Sequence, residues 1–158
     1  MDKVYIERAL MSAEGFGAAA KLLMEKTNKN AWYLGIYAPA ITANLSFACE
    51  IYMKQIIGFN EEKYTKGHYL RDLYRKISPQ EREFIEGEFD EKVKSFLRKN
   101  SDWMEPFSIN NCLDDYNKAF EEWRYVYEPK ESNAYFVAGP SLEILACVLE
   151  EYIKDKLG

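Results

Sequence analysis

His68 is the only histidine in this chain, and it sits between Gly67 and the helical apolar run that begins at Leu70. An imidazole titrates near neutral pH, so His68 is a candidate general acid or base. The same residue at a helix start could simply hydrogen-bond a nearby carboxylate. Glu50 and Lys54 are four residues apart in Phe47-Ala48-Cys49-Glu50-Ile51-Tyr52-Met53-Lys54, which puts them on one helix face. Arg124 and Glu128 repeat that spacing in the opposite order within Trp123-Arg124-Tyr125-Val126-Tyr127-Glu128. Ionisable groups among apolar residues are costly to bury unless they are paired. Two arrangements meet that demand. One is a pair of separate ion pairs at the rim of the fold. The other is a single network in which Glu50 meets Arg124 or His68, with Trp123, Tyr125 and Tyr127 as an aromatic wall. Arg71 could add a guanidinium for phosphate. The catalytic candidates are therefore His68 and Arg124, and the polar-site candidates are Glu50, Lys54, His68, Arg71, Arg124 and Glu128.

Other chemistries find little support. A single histidine excludes two-histidine metal sites, so no metal and no cofactor is expected. Gly15-Phe16-Gly17 lacks the strand and later glycine of a phosphate loop, and no nucleophile elbow is present. The acidic pairs Asp114-Asp115 and Glu121-Glu122 read as solvated helix faces. Cys49, Cys112 and Cys147 are odd in number, lack metal spacing and lie among apolar neighbours. They read as buried free thiols, which fits a reducing cytoplasm.

The side chains that could do chemistry must be positioned by 158 residues, enough for one domain with a sizeable core. Hydrophobic residues make up 47% and charged residues 30%, a globular balance. A net charge of −5 opposes general attraction to nucleic acid. Locally, however, Lys63, Lys66, Arg71, Arg75 and Lys76 face Asp72 alone, and they could line one cationic groove. Residues 31–49 carry no charge, but Pro39, Thr42, Asn44 and Ser46 make a buried bundle helix the simpler reading than a membrane span.

The periodicity is helical throughout, with no convincing strand. Expected helices cover 3–26, 32–57, 68–77, 78–99, 111–127 and 140 onward. Gly15 and Gly17 are candidates for close helix packing, and Pro39 for a kink. Phe84 belongs to the expected inward set. Ser78-Pro79-Gln80-Glu81 reads as a capping box, and Asn111 with Asp114 as a cap pair. Pro129 to Gly139 reads as a loop. The expectation is a single all-α bundle of five or six helices spanning 1–158.

Three segments together, Phe47 to Lys54, Gly67-His68-x-Leu70-x-x-Leu73 and Trp123-Arg124-Tyr125-x-Tyr127-Glu128, resemble the HEPN superfamily of small helical bundles, over roughly residues 5–155. That resemblance implies a bundle that often pairs as a homodimer. It also implies one of several roles: metal-independent ribonuclease, toxin of a toxin–antitoxin pair, phage-defence component, or non-catalytic module binding a nucleotide, RNA or a partner protein. Active members carry arginine, four to six intervening residues, and histidine late in the bundle. Here the positions ahead of His68 hold Glu61, Glu62 and Lys63, and no histidine follows Arg124. The resemblance therefore favours a non-catalytic binder. The alternatives are a divergent ribonuclease using His68 and Arg124, and a purely structural interaction bundle.

Overall fold

A computed structural model describes residues 3–26, 37–61, 65–102, 106–124 and 139–158; of residues 3, 4, 120, 123 and 124 it describes only the backbone. Seven helices occur among these residues, with no strand: α1 (Lys3–Lys26), α2 (Ala38–Glu61), α3 (Leu70–Lys76), α4 (Pro79–Lys99), α5 (Ile109–Asp115), α6 (Ala119–Arg124) and α7 (Pro140–Leu157). The fold is an all-α bundle, as the periodicity requires.

Helix α2 is the axis of the bundle, with α1, α3, α6 and α7 packed around it. Apolar residues on several sides of α2, among them Ile41, Leu45, Cys49, Tyr52, Met53 and Ile56, make it a buried helix. Surrounded in this way, α2 also buries Thr42, Ser46, Glu50 and Gln55. Among the described residues no helix is long and apolar enough to cross a membrane.

Pro39 does not kink α2. It lies in the first turn, where the Tyr37 carbonyl accepts the first helical bond, from Ile41 N–H, at 2.9 Å. A proline there gives up only an amide that has no helical partner anyway. Gly15 and Gly17 do not mark a close approach either, since a Cβ at either position would meet nothing within 4 Å. The fully buried small residues of α1 are Ala13 and Ala20, which belong to the core shared with α2.

Helix α4 starts as expected, with Ser78 Oγ accepting the Glu81 N–H at 3.4 Å and Pro79 in the first turn. The Glu81 side chain, however, joins other elements of the fold. Phe84 is 49% exposed rather than inward, its ring 5.5 Å from that of Tyr152. The expected helix 111–127 is broken: Tyr116 caps α5, and α6 restarts at Ala119. The N-cap of α5 is Ser108, paired with Asn111 in a capping box, rather than Asn111 with Asp114. The loop expected at Pro129 to Gly139 lies outside the described residues up to 138.

Candidate functional site

Helix α2 delivers Glu50 to the inside of the bundle, where the residue is 2% exposed. Lys54, one turn on, donates to Glu50 Oε1 at 2.7 Å. His68 Nδ1 reaches the same oxygen at 2.9 Å. A carboxylate oxygen only accepts, so the ring donates its Nδ1–H and Nε2 is left available for other contacts. The imidazole itself is 60% exposed, so the pair couples a buried carboxylate to an accessible ring. Among the described residues, Glu50 Oε2 is buried without a hydrogen-bond partner.

His68 precedes α3 rather than starting it; Tyr69 occupies the cap position and supplies no side-chain bond. The amides at the start of α3 are met instead by Asn117, in the turn between α5 and α6. Its carbonyl accepts from Leu70 N–H at 3.2 Å, and its Oδ1 accepts from Arg71 N–H at 2.9 Å. Lys118 places its ammonium 5.2 Å from the centre of the Tyr69 ring. Gly67 turns the chain with φ of +111°, a backbone region that L side chains rarely adopt. Together these features tie the segment that follows His68 to the α5–α6 turn, while the imidazole itself bonds to α2.

Two clefts meet at His68. The first, of about 350 Å³, is the seam between α1 and α2. Tyr5, Ser12 and Phe16 line it from α1, and Phe47, Glu50, Lys54 and Gln55 from α2. The second, of about 290 Å³, is lined by Lys66, Gly67, Asp72, Lys76 and Glu121 besides His68. It gathers two lysines and the imidazole against two carboxylates.

The cationic residues do not form the single groove that their clustering in sequence suggests. Arg71 is ion-paired with Asp114 of α5 and lines neither cleft. Arg75 lies 3.7 Å from Asp72. Lys66 and Lys76 line the second cleft, and Lys63 is outside the described residues. Of the expected network, the structure brings together Glu50, Lys54 and His68. Tyr125, Tyr127 and Glu128 lie outside the described residues, as do the side chains of Trp123 and Arg124. The backbone of Arg124 ends α6, which packs on α2.

Cys49 and Cys112 are buried and Cys147 is half-buried; all three are free. Burial pushes the Cys49 thiol well up and that of Cys112 up to about 12, and burial followed by the hydrogen bond to Glu151 raises Cys147. Thiols held in the protonated form are poor nucleophiles. No group of His, Cys, Asp and Glu among the described residues is arranged to hold a metal ion.

Sequence reasoning missed a second buried carboxylate, Glu81, at 8% exposure. Its Oε2 accepts from Asn60 at 2.5 Å and Ser78 Oγ at 2.8 Å, and its Oε1 from Tyr152 at 2.9 Å and from Lys156. Burial alone would raise the Glu81 carboxyl, but the bonds from Lys156, Ser78, Tyr152 and Asn60 outweigh it and hold it below its ordinary value. The capping-box spacing disguised this residue, because nothing local marks a side chain whose partners lie on α2 and α7.

The molecule is thus a helical bundle with a carboxylate–imidazole pair at the meeting of two clefts. Comparison with protein-family models, curated proteins and solved structures gives no match.

Proposed function

We propose that this chain is a HEPN-like module that binds a nucleotide or RNA without cleaving it. The observation that supports this reading is His68, fixed by Glu50 at 2.9 Å yet exposed where the two clefts meet. An imidazole held in this way presents Nε2 to a ligand at little further cost in side-chain entropy. Lys66 and Lys76 would meet phosphate in the second cleft, in place of Arg71, whose guanidinium is taken by Asp114. Arg124 belongs to α6, which packs against the helix that carries Glu50. The HEPN resemblance adds a homodimer, or a partner protein in a bacterial toxin–antitoxin or phage-defence system, and the free thiols fit a cytoplasmic setting.

The test is binding of a labelled single-stranded RNA and of free nucleotides, with wild type, His68→Ala and Lys66→Ala/Lys76→Ala, across a salt series. Expected are affinity that falls as salt rises, and weaker binding by both variants. A folded wild type that binds neither RNA nor nucleotide at high micromolar concentration removes the reading and leaves a structural interaction bundle.

The second reading is a divergent metal-independent ribonuclease, favoured by the Glu50–His68 bond itself. A carboxylate behind an imidazole fixes its tautomer and stabilises the imidazolium formed on proton transfer. His68 would serve as acid or base, and Arg124 would stabilise charge developing at phosphorus. RNA cleavage in the presence of chelator, abolished in folded His68→Ala and Arg124→Ala, would establish this activity over simple binding.

A further inference from the structure

The α1–α2 cleft contains a feature that phosphate binding does not use. Glu50 and Gln55 both line it, and each keeps one buried oxygen, Glu50 Oε2 and Gln55 Oε1, without a hydrogen-bond partner among the described residues. Both residues are almost fully buried, at 2% and 1% exposure. Buried acceptors are normally satisfied, and an orphaned pair on two residues that line one cleft calls for donors. A half-turn of the Gln55 amide would exchange its oxygen for NH2, whereas Glu50 offers an acceptor in either orientation, so the requirement for a donor rests on Glu50.

The charge of Glu50 is already opposed by the Lys54 ammonium at 2.7 Å. A fully cationic ligand would be repelled by Lys54, so a neutral N–H donor fits better than an ammonium or guanidinium. The remaining wall is aromatic. The rings of Phe16 and Phe47 meet edge to face with centroids 4.5 Å apart, and Tyr5 lines the same cleft. Aromatic walls suit a flat ring, and about 350 Å³ is within the roughly 300–1,000 Å³ range of small-ligand sites.

We infer that the α1–α2 cleft takes a nucleobase carrying an exocyclic amino group, which donates to Glu50 Oε2, while the attached phosphate lies beyond His68 toward Lys66 and Lys76. This inference deepens the nucleotide-binding reading and rests on it. It assigns Phe16, Phe47 and Gln55 to ligand recognition.

The test compares adenosine 5′-monophosphate with purine riboside 5′-monophosphate, which lacks only the amino group, by calorimetry on the full chain. A hydrogen bond to a charged acceptor predicts at least about tenfold tighter binding of the amino-bearing nucleotide. Glu50→Gln, checked for folding by circular dichroism, should shrink that ratio toward one. Phe16→Leu should weaken both nucleotides together. Equal affinity of wild type for the two nucleotides overturns the inference and leaves nucleotide binding standing. Binding of single-stranded RNA with no binding of either nucleotide also overturns it, again without touching the RNA-binding reading. Failure of RNA and both nucleotides to bind removes the reading and the inference together.

Discussion

Glu50 and Glu81 are the same residue type, both nearly excluded from solvent, yet they are bound in opposite ways. Glu81 has both oxygens filled, by Asn60 of α2, by its own cap Ser78, and by Tyr152 and Lys156 of α7. It ties three helices together. Glu50 crowds both of its donors onto one oxygen and leaves the other without a partner among the described residues. One of those donors is an exposed imidazole. A saturated buried carboxylate has no capacity left for a ligand, so it acts as a lock. A half-satisfied one beside a cleft retains that capacity.

The isosteric change to glutamine should separate the two most sharply. At Glu81 the new NH2 faces donors whichever way it turns, because each oxygen already accepts two. Glu81→Gln should destabilise the fold by about 3 kcal/mol, read by chemical denaturation. At Glu50 the NH2 can take the vacant side while the oxygen keeps Lys54 and His68, so Glu50→Gln should cost about 1 kcal/mol. Equal costs at the two positions would break the comparison.

The same contrast predicts a pH dependence. The folded-state pKa of Glu81 is depressed, so its contribution is fully present above the ordinary carboxylate value. It is lost as pH falls through the depressed value. Acid titration of stability should therefore lose a component in Glu81→Gln, below roughly pH 4.5. An unchanged acid limb would mean that other carboxylates carry the dependence.

Smaller effects belong to the scaffold of His68. Gly67→Ala forces a side chain into the positive-φ region and should cost about 1–2 kcal/mol, with open space around the Cβ ruling out a clash. Asn117→Ala removes the side-chain acceptor of the Arg71 amide and should cost about 1 kcal/mol. Both should weaken ligand binding by displacing His68, and thermal melts alongside RNA titrations would test this. His68→Ala should change stability least, by less than about 1 kcal/mol, because the ring is exposed and Glu50 keeps Lys54. Its effect on binding should nevertheless exceed that of the two scaffold changes.

Local information made much of the bundle legible. The limits of α1 and α7, the Ser78-Pro79 start of α4 and the short α3 follow from periodicity, proline at a first turn and a serine cap. The break at Tyr116–Lys118 was not legible, because the apolar stripe of Leu113, Tyr116 and Phe120 continues across it. Nor was the outward turn of Phe84, whose exposure depends on where α7 lies. At the candidate site, the i,i+4 spacing of Glu50 and Lys54 located their pair, and the lone histidine drew attention to His68.

The sequence by itself determined that the chain is helical, that α2 is buried on most sides, and that Glu50 therefore needs partners, since these follow from the spacing of apolar residues and the cost of burying charge. Only the tertiary structure decided which partners it found. It placed His68 on Glu50 Oε1, gave Arg71 to Asp114, capped α3 with Asn117 from another turn, and made Glu81 a lock instead of a cap. Each of these bonds joins residues far apart in sequence, and their meeting is fixed by how the helices pack around α2, which no local pattern encodes.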